Sequence, residues 1–232
     1  MSTTRKRNAA VATITSTRPE DLTPQQLQLR QLIVETAEEA FRQEGIVKCT
    51  MEAIGKRLNM SKRTLYQFFH DKESLVLACV QLNTERKQAY TQQLEANSDN
   101  ALHCILQLIT YRLTAFKLAN TYYYRELYHY PSVAAYFTQR RKESVSGILA
   151  LLQRGVDEGV FDKRIDFSTV VQCMSALTDV VLQSTHGTDS LTIPQFVFNF
   201  VLPLFRGCAT PKGQNIIDNY KLEVGGSATP SD

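Results

Sequence analysis

Three helix-capping residues, Thr50, Ser61 and Asp71, stand ten or eleven positions apart. That spacing leaves room for only two short helices before a longer one begins. The first is predicted from about Met51 to Leu58, with Ile54 and Leu58 on one face. Asn59-Met60 then makes a tight turn, because Asn tolerates positive φ better than any residue except Gly. Ser61 opens the second helix, to about Phe69, and Asp71 caps a helix running past Tyr90 to about Glu95. Upstream, Leu29, Ile33, Ala37 and Phe41 recur every four residues, the mark of an amphipathic helix. Thr23 caps it, Pro24 occupies its first position and Gly45 ends it. Helix, short helix, tight turn, short helix is a helix-turn-helix unit, expected over residues 23–80.

The second short helix has two unlike faces. Leu65 and Phe69 fall on one and anchor it to its neighbours, while Lys62, Arg63, Tyr66, Gln67 and His70 project from the other. A major groove suits such a face: Arg or Lys pairs with guanine O6 and N7, and Gln with adenine N6 and N7. Charge agrees in direction. Between Lys48 and Lys72 the basic residues are Lys48, Lys56, Arg57, Lys62, Arg63 and Lys72, against Glu52 and Asp71. Over the whole chain the formal net charge is only +3, so the cations are concentrated on this unit rather than spread. A basic surface helix without a nucleic-acid partner has the same spacing, and spacing alone leaves the two open.

The run TMEAIGKRLNMSKRTLYQFFHDKESL, Thr50 to Leu75, resembles the DNA-binding signature of TetR-family transcriptional regulators. The resemblance covers about residues 30–80 and rests on Thr50, the turn Asn59-Met60-Ser61, Thr64-Leu65-Tyr66 with Phe69, and Lys72-Glu73. Asn59 stands where Gly is usual, Arg63 where a small residue or Pro is common, and Phe68 where His or Tyr often contacts phosphate. The resemblance implies that Lys62, Arg63, Thr64 and Gln67 read bases. It implies that Thr50, Tyr66 and Lys72 clamp the DNA backbone. It also implies an all-α fold: a three-helix DNA-binding domain followed by a helical effector-binding and dimerisation domain, here residues 81–208. The partners would be a pseudo-palindromic double-stranded operator, a second copy of the chain and a small-molecule effector.

Beyond Asn97 the pattern predicts helices at about 99–119, 122–129, 131–158, 167–186 and 193–206, the long third one closed by Gly159 and the next by Gly187. The helices at 167–186 and 193–206 are more apolar than one buried face requires, which suits a dimer interface, a monomer core being the alternative. Aromatic residues concentrate between residues 111 and 137, with Arg112, Arg125, Glu126 and His129 among them. Tyr111, Phe116, Tyr124, Arg125, Tyr128 and His129 are therefore candidate ligand-binding residues, for an aromatic or amphipathic effector.

The remaining features exclude other classes or set limits. The N-terminal 22 residues, with Arg5-Lys6-Arg7, read as a flexible basic arm, and residues 209–232 as a tail ending in a disordered GGSATPSD. No apolar segment follows the basic N-terminus as a secretory signal would require. The uncharged run Ser190–Phe205 is too short, and too broken by Pro194 and Pro203, to span a membrane. Five cysteines, without CxxC spacing, fit a reducing cytoplasm. No catalytic, phosphate-loop or metal motif occurs, so no enzyme activity, cofactor or metal is expected. The expected function is a ligand-responsive DNA-binding regulator, a repressor released from its operator by a small molecule. The rival is a helical ligand-binding or enzymatic protein in which the helix-turn-helix is structural. A DNA binder with no effector is the third reading.

Overall fold

The structure, a computed structural model, describes residues 19–119, 122–183 and 192–221. The basic arm before residue 19, Gly187 and the GGSATPSD end lie outside the described residues. Among the described residues the fold is all-helical, with one isolated bridge between Phe161 and Ala209 and no strand. The chain divides into two compact units. One holds the residues up to Arg86 together with 120–136; the other holds Lys87–Ala119 and Phe137 onward.

The described part of the first unit opens with a 3-10 turn, Pro19–Asp21, and the buried Leu22, so the end of the expected arm is ordered; α1 (Pro24–Glu44), α2 (Met51–Arg57) and α3 (Lys62–Phe68) follow. It also contains the first half of α4 (Lys72–Asn97), α6 (Tyr123–Leu127) and the start of α7 (Pro131–Asp157). The expected caps are present. Thr23 and Gln26 form a reciprocal capping box on α1, and Gly45 ends that helix at φ 89°. Thr50 and Ser61 accept the backbone N–H of Ala53 and Thr64, and Asp71 accepts that of Ser74 at 2.7 Å. Leu29, Ile33, Ala37 and Phe41 are all buried, joined by Ile54, Leu58, Leu65, Phe68 and Phe69 from the short helices. Tyr123 and Leu127 of α6 belong to the same buried set, so this part of the aromatic segment is core of the first unit.

The second unit is built from the rest of α4 and α7, from α5 (Ala101–Leu118) and α8 (Phe167–Gln183), and from the C-terminal helices α9 (Ile193–Phe196), α10 (Leu202–Cys208) and α11 (Pro211–Asn219). Leu102, Ile105, Leu106, Leu152 and Phe161 are among its buried core residues. Phe161 meets Phe167 edge-on at 5.3 Å and lies 6.0 Å from Phe205.

Between α9 and α10 the chain makes one π turn, Val197–Val201, in which the N–H of Leu202 donates to the carbonyl of Val197. Pro203 accounts for the irregularity: it has no N–H to donate and its ring crowds the carbonyl four residues back. The buried residues follow the altered count. Phe196, Val201, Phe205 and Cys208 share one face although the first two are five apart.

α11 lies where the sequence pattern predicts only a tail. Thr210 caps it and Pro211 starts it, the same Thr-Pro signal that opens α1. It docks on the turn after α7, where Thr210 N–H donates to the Val160 carbonyl (3.1 Å) and its hydroxyl to the Gly159 carbonyl (2.7 Å).

Candidate nucleic-acid interface

The two short helices are set by backbone constraints as much as by burial. Asn59 lies at φ 52°, making it the positive-φ non-glycine residue among those described. The N–H of Met60 then returns to the Gly55 carbonyl at 2.8 Å. A Cβ on Gly55 would meet the Met60 carbonyl oxygen at 2.8 Å and the Leu65 side chain at 3.4 Å, so only glycine lets the turn close this tightly. Leu65 and Phe68 are fully buried and Phe69 nearly so, which fixes the rotation of α3. The Arg30 guanidinium lies over the Phe69 ring at 4.9 Å and ties the end of α3 to α1.

With that rotation, Lys62, Arg63, Tyr66 and His70 are exposed and Thr64 and Gln67 half-buried. The Lys62 ammonium lies 5.9 Å from the Tyr66 ring centre. The hydroxyls of Ser61 and Thr64 are 2.9 Å apart, and each retains hydrogen-bonding capacity. Thr50 is exposed at the start of α2, its oxygen capping that helix.

The basic residues of this region fall into two groups. Lys56 pairs with Glu52 at 2.9 Å and Arg57 with Glu44, and that bond holds the Arg57 guanidinium above its usual pKa. Lys48, Lys62 and Arg63 are exposed and form no ion pair among the described residues. The second group is charge not neutralised by an ion pair among the described residues. Lys48 enters the charge balance of the sequence, but no motif there gives it a site role.

Lys72 differs from the other cations. It is half-buried, with its ammonium donating to the carbonyls of Ile46 and Val47 and lying 5.8 Å from the Phe41 ring. Burial lowers its pKa, partly countered by Glu126. Glu126, buried on α6, accepts the N–H groups of the same Ile46 and Val47. The loop between α1 and α2 is thus held by one cation and one anion, a pairing that no sequence motif signals.

The six candidate ligand residues do not fall in one unit. Tyr111 and Phe116 lie on α5 in the second, with the Tyr111 ring 4.5 Å from Tyr90. Tyr124, Arg125, Tyr128 and His129 lie on or just after α6 in the first. There Arg125 lies over the Tyr122 ring at 4.6 Å, Tyr124 contacts Tyr123 edge-on at 5.2 Å, and His129 is exposed. Neither unit alone brings all six together.

A helix-turn-helix that exposes cations and hydrogen-bonding side chains, carried by an otherwise helical chain, is a fold of TetR type. Residues 33–79 match the family described as bacterial regulatory proteins, tetR family, and the N-terminal domain is a TetR-family helix-turn-helix. Solved structures extend the likeness to the whole fold. A transcriptional regulator from Saccharomonospora viridis, solved in complex with choline, is 16% identical over 79% of this chain and 98% of that one, with a TM-score of 0.63. One from Cytophaga hutchinsonii ATCC 33406 is 20% identical over 77% and 97%, at 0.61. A TetR/AcrR-family regulator from Thermobifida fusca YX-ER1 is 18% identical over 78% and 98%, at 0.58. At these identities the likeness bears on the fold. Among curated proteins, none matches the chain.

Proposed function

We propose that this protein is a ligand-responsive transcriptional repressor that binds a pseudo-palindromic operator as a homodimer and leaves it when a small molecule binds. The observation that carries the reading is the outer face of α3, where Lys62, Arg63, Tyr66 and Gln67 stand on a helix whose inner face is fully buried. Lys62, Arg63, Thr64 and Gln67 read base edges. Thr50 and Tyr66 hold phosphates, joined by Lys48. Phosphate contacts supply most of the affinity and base contacts the specificity. Lys72 serves this face indirectly, by fixing the loop that leads into α2.

Dimerisation uses the segments at 167–186 and 193–206. In their described parts Leu177, Val180, Phe198 and Phe200 are exposed, Val180 by 63%, an apolar surface that a second copy would cover. Two-fold symmetry then sets the two recognition helices into successive major grooves, about 34–36 Å apart. The effector is an aromatic or amphipathic molecule held by the helical domain. Such a regulator works in the cytoplasm, beside its DNA. Among the described residues no helix is long and apolar enough to cross a membrane.

The test is selection of preferred duplexes from a random pool by the purified protein, followed by a salt titration on the winner. A two-fold consensus whose affinity falls steeply as salt rises supports the reading. Folded protein that enriches no sequence overturns it.

A further inference from the structure

Glu126 holds the loop between α1 and α2 from outside the helix-turn-helix. It lies on α6, and one of its carboxylate oxygens accepts the N–H groups of both Ile46 and Val47. A second contact keeps that anchor in place: the Glu73 carboxylate, in the first turn of α4, accepts the N–H of Ser132 near the start of α7 at 2.8 Å. Lys72, the neighbour of Glu73, donates to the loop carbonyls. The first turn of α4 therefore grips both the loop and the segment that carries Glu126, all within the first unit.

The loop has a fixed frame and an exposed tip. Ile46 and Cys49 are buried, and the Cys49 N–H donates to the Gly45 carbonyl at 3.3 Å. Between them Val47 is 61% exposed, and Lys48 is exposed and forms no ion pair among the described residues. Two consecutive N–H groups bound to one carboxylate fix the backbone directly before Lys48, so its side chain starts from one place rather than many. A free loop would have to be ordered on binding, and that cost falls on affinity.

Charge gives Glu126 the wrong sign for a direct role at this face. A carboxylate behind a loop that meets phosphates repels them, so by charge alone its removal tightens binding to DNA. A positioning role predicts the reverse.

We propose that Glu126 is the positioning residue for Lys48, setting operator affinity from α6 without touching DNA. The assignment rests on the regulator reading above and extends its DNA-binding machinery to a residue outside the helix-turn-helix.

Affinity of the full chain for the duplex selected above is measured by fluorescence anisotropy across a salt series. Glu126→Ala should raise Kd at least fivefold and lower the salt slope by about one, as Lys48→Ala does. With Lys48 already Ala, the same change should raise Kd by under twofold, because the contact it positions is gone. A loss of stability alone produces neither the change in slope nor this coupling. A smaller rise in Kd, a fall in Kd, or a twofold or larger effect in the Lys48→Ala background overturns the assignment.

The loop is read without DNA by iodoacetamide labelling and mass spectrometry. Cys49 should react at least tenfold faster in Glu126→Ala, with Cys79, buried in the same unit, unchanged. Cys49 unchanged, or both thiols rising together, overturns the assignment whatever the DNA result. Glu126→Gln keeps one uncharged acceptor and should fall between wild type and Glu126→Ala. Should Glu126→Ala fail to fold, Glu126→Gln decides: weaker operator binding supports the role, and equal or tighter binding overturns it. A wild-type chain that enriches no duplex fails the regulator reading and this role with it. Operator binding by wild type without these effects fails the positioning role alone.

Discussion

Lys72 and Glu126 grip the same dipeptide through opposite groups: the ammonium takes the carbonyl oxygens of Ile46 and Val47, and the carboxylate takes their N–H groups, that of Val47 at 3.0 Å. Both residues are separated from the loop by long stretches of chain, so the entry to α2 is set by tertiary contacts.

Truncating Glu126 to Ala leaves two N–H groups without their acceptor. Hydrogen bonds to a charged group contribute about 1.5–3 kcal/mol, so a loss of that size in urea unfolding is expected. An unchanged midpoint would show that water replaces the carboxylate without cost.

Lys62→Ala combined with Arg63→Ala should weaken specific operator binding while leaving the melting temperature close to wild type, because both side chains are exposed. A lost bidentate base contact costs about 1–3 kcal/mol, and each lost phosphate contact lowers the salt slope by about one. Full affinity in the double variant would remove α3 from the interface.

Gly55→Ala tests the turn. Its added methyl meets a backbone carbonyl at 2.8 Å, which cannot rotate aside, so the two short helices must separate. A loss of about 1–3 kcal/mol is expected from such overpacking, read by thermal or urea unfolding. Asn59→Gly should be tolerated by comparison, since it keeps access to φ 52°.

Lys87 gives the protein a pH signature. Its folded pKa, about 7, lies below the ordinary lysine value near 10.4, so between these limits the unfolded chain binds the extra proton. This contribution to stability therefore rises as pH increases from about 7 to about 10, and Lys87→Met should abolish it. The difference in unfolding free energy between wild type and Lys87→Met, measured over that range, isolates the effect from other groups, including Cys79, whose buried thiol is pushed well up. The groups facing Lys87 are Arg112 and Arg140, the latter carrying Glu143. A flat difference curve would mean that Lys87 is solvated.

The features legible in the sequence are local ones. The every-fourth pattern of Leu29, Ile33, Ala37 and Phe41 is a buried stripe, and Thr23, Thr50 and Ser61 cap as their positions imply. Asn59 takes the positive φ its side chain tolerates. The outward set on α3 comes from the same periodicity. Long-range pairings are out of reach: Glu126 lies 80 residues from Ile46, and no local pattern links them. The influence of Arg112 and Arg140 on Lys87 is hidden for the same reason, since each occupies its own helix. α11 escapes sequence reading although Thr210-Pro211 repeats the signal of Thr23-Pro24, because the Gly and Asn residues after it argue against helix where docking favours it.

The π turn at Val197–Val201 makes the length of this segment a structural quantity in its own right. Deleting one residue there would convert five-residue spacing to four and rotate α10 by about 100° about the helix axis. Phe205 would swing away from Phe161, and Pro203 would be forced into an unbroken helix. What this point fixes is the number of residues, so an insertion or deletion there would act on the core like the loss of a large side chain.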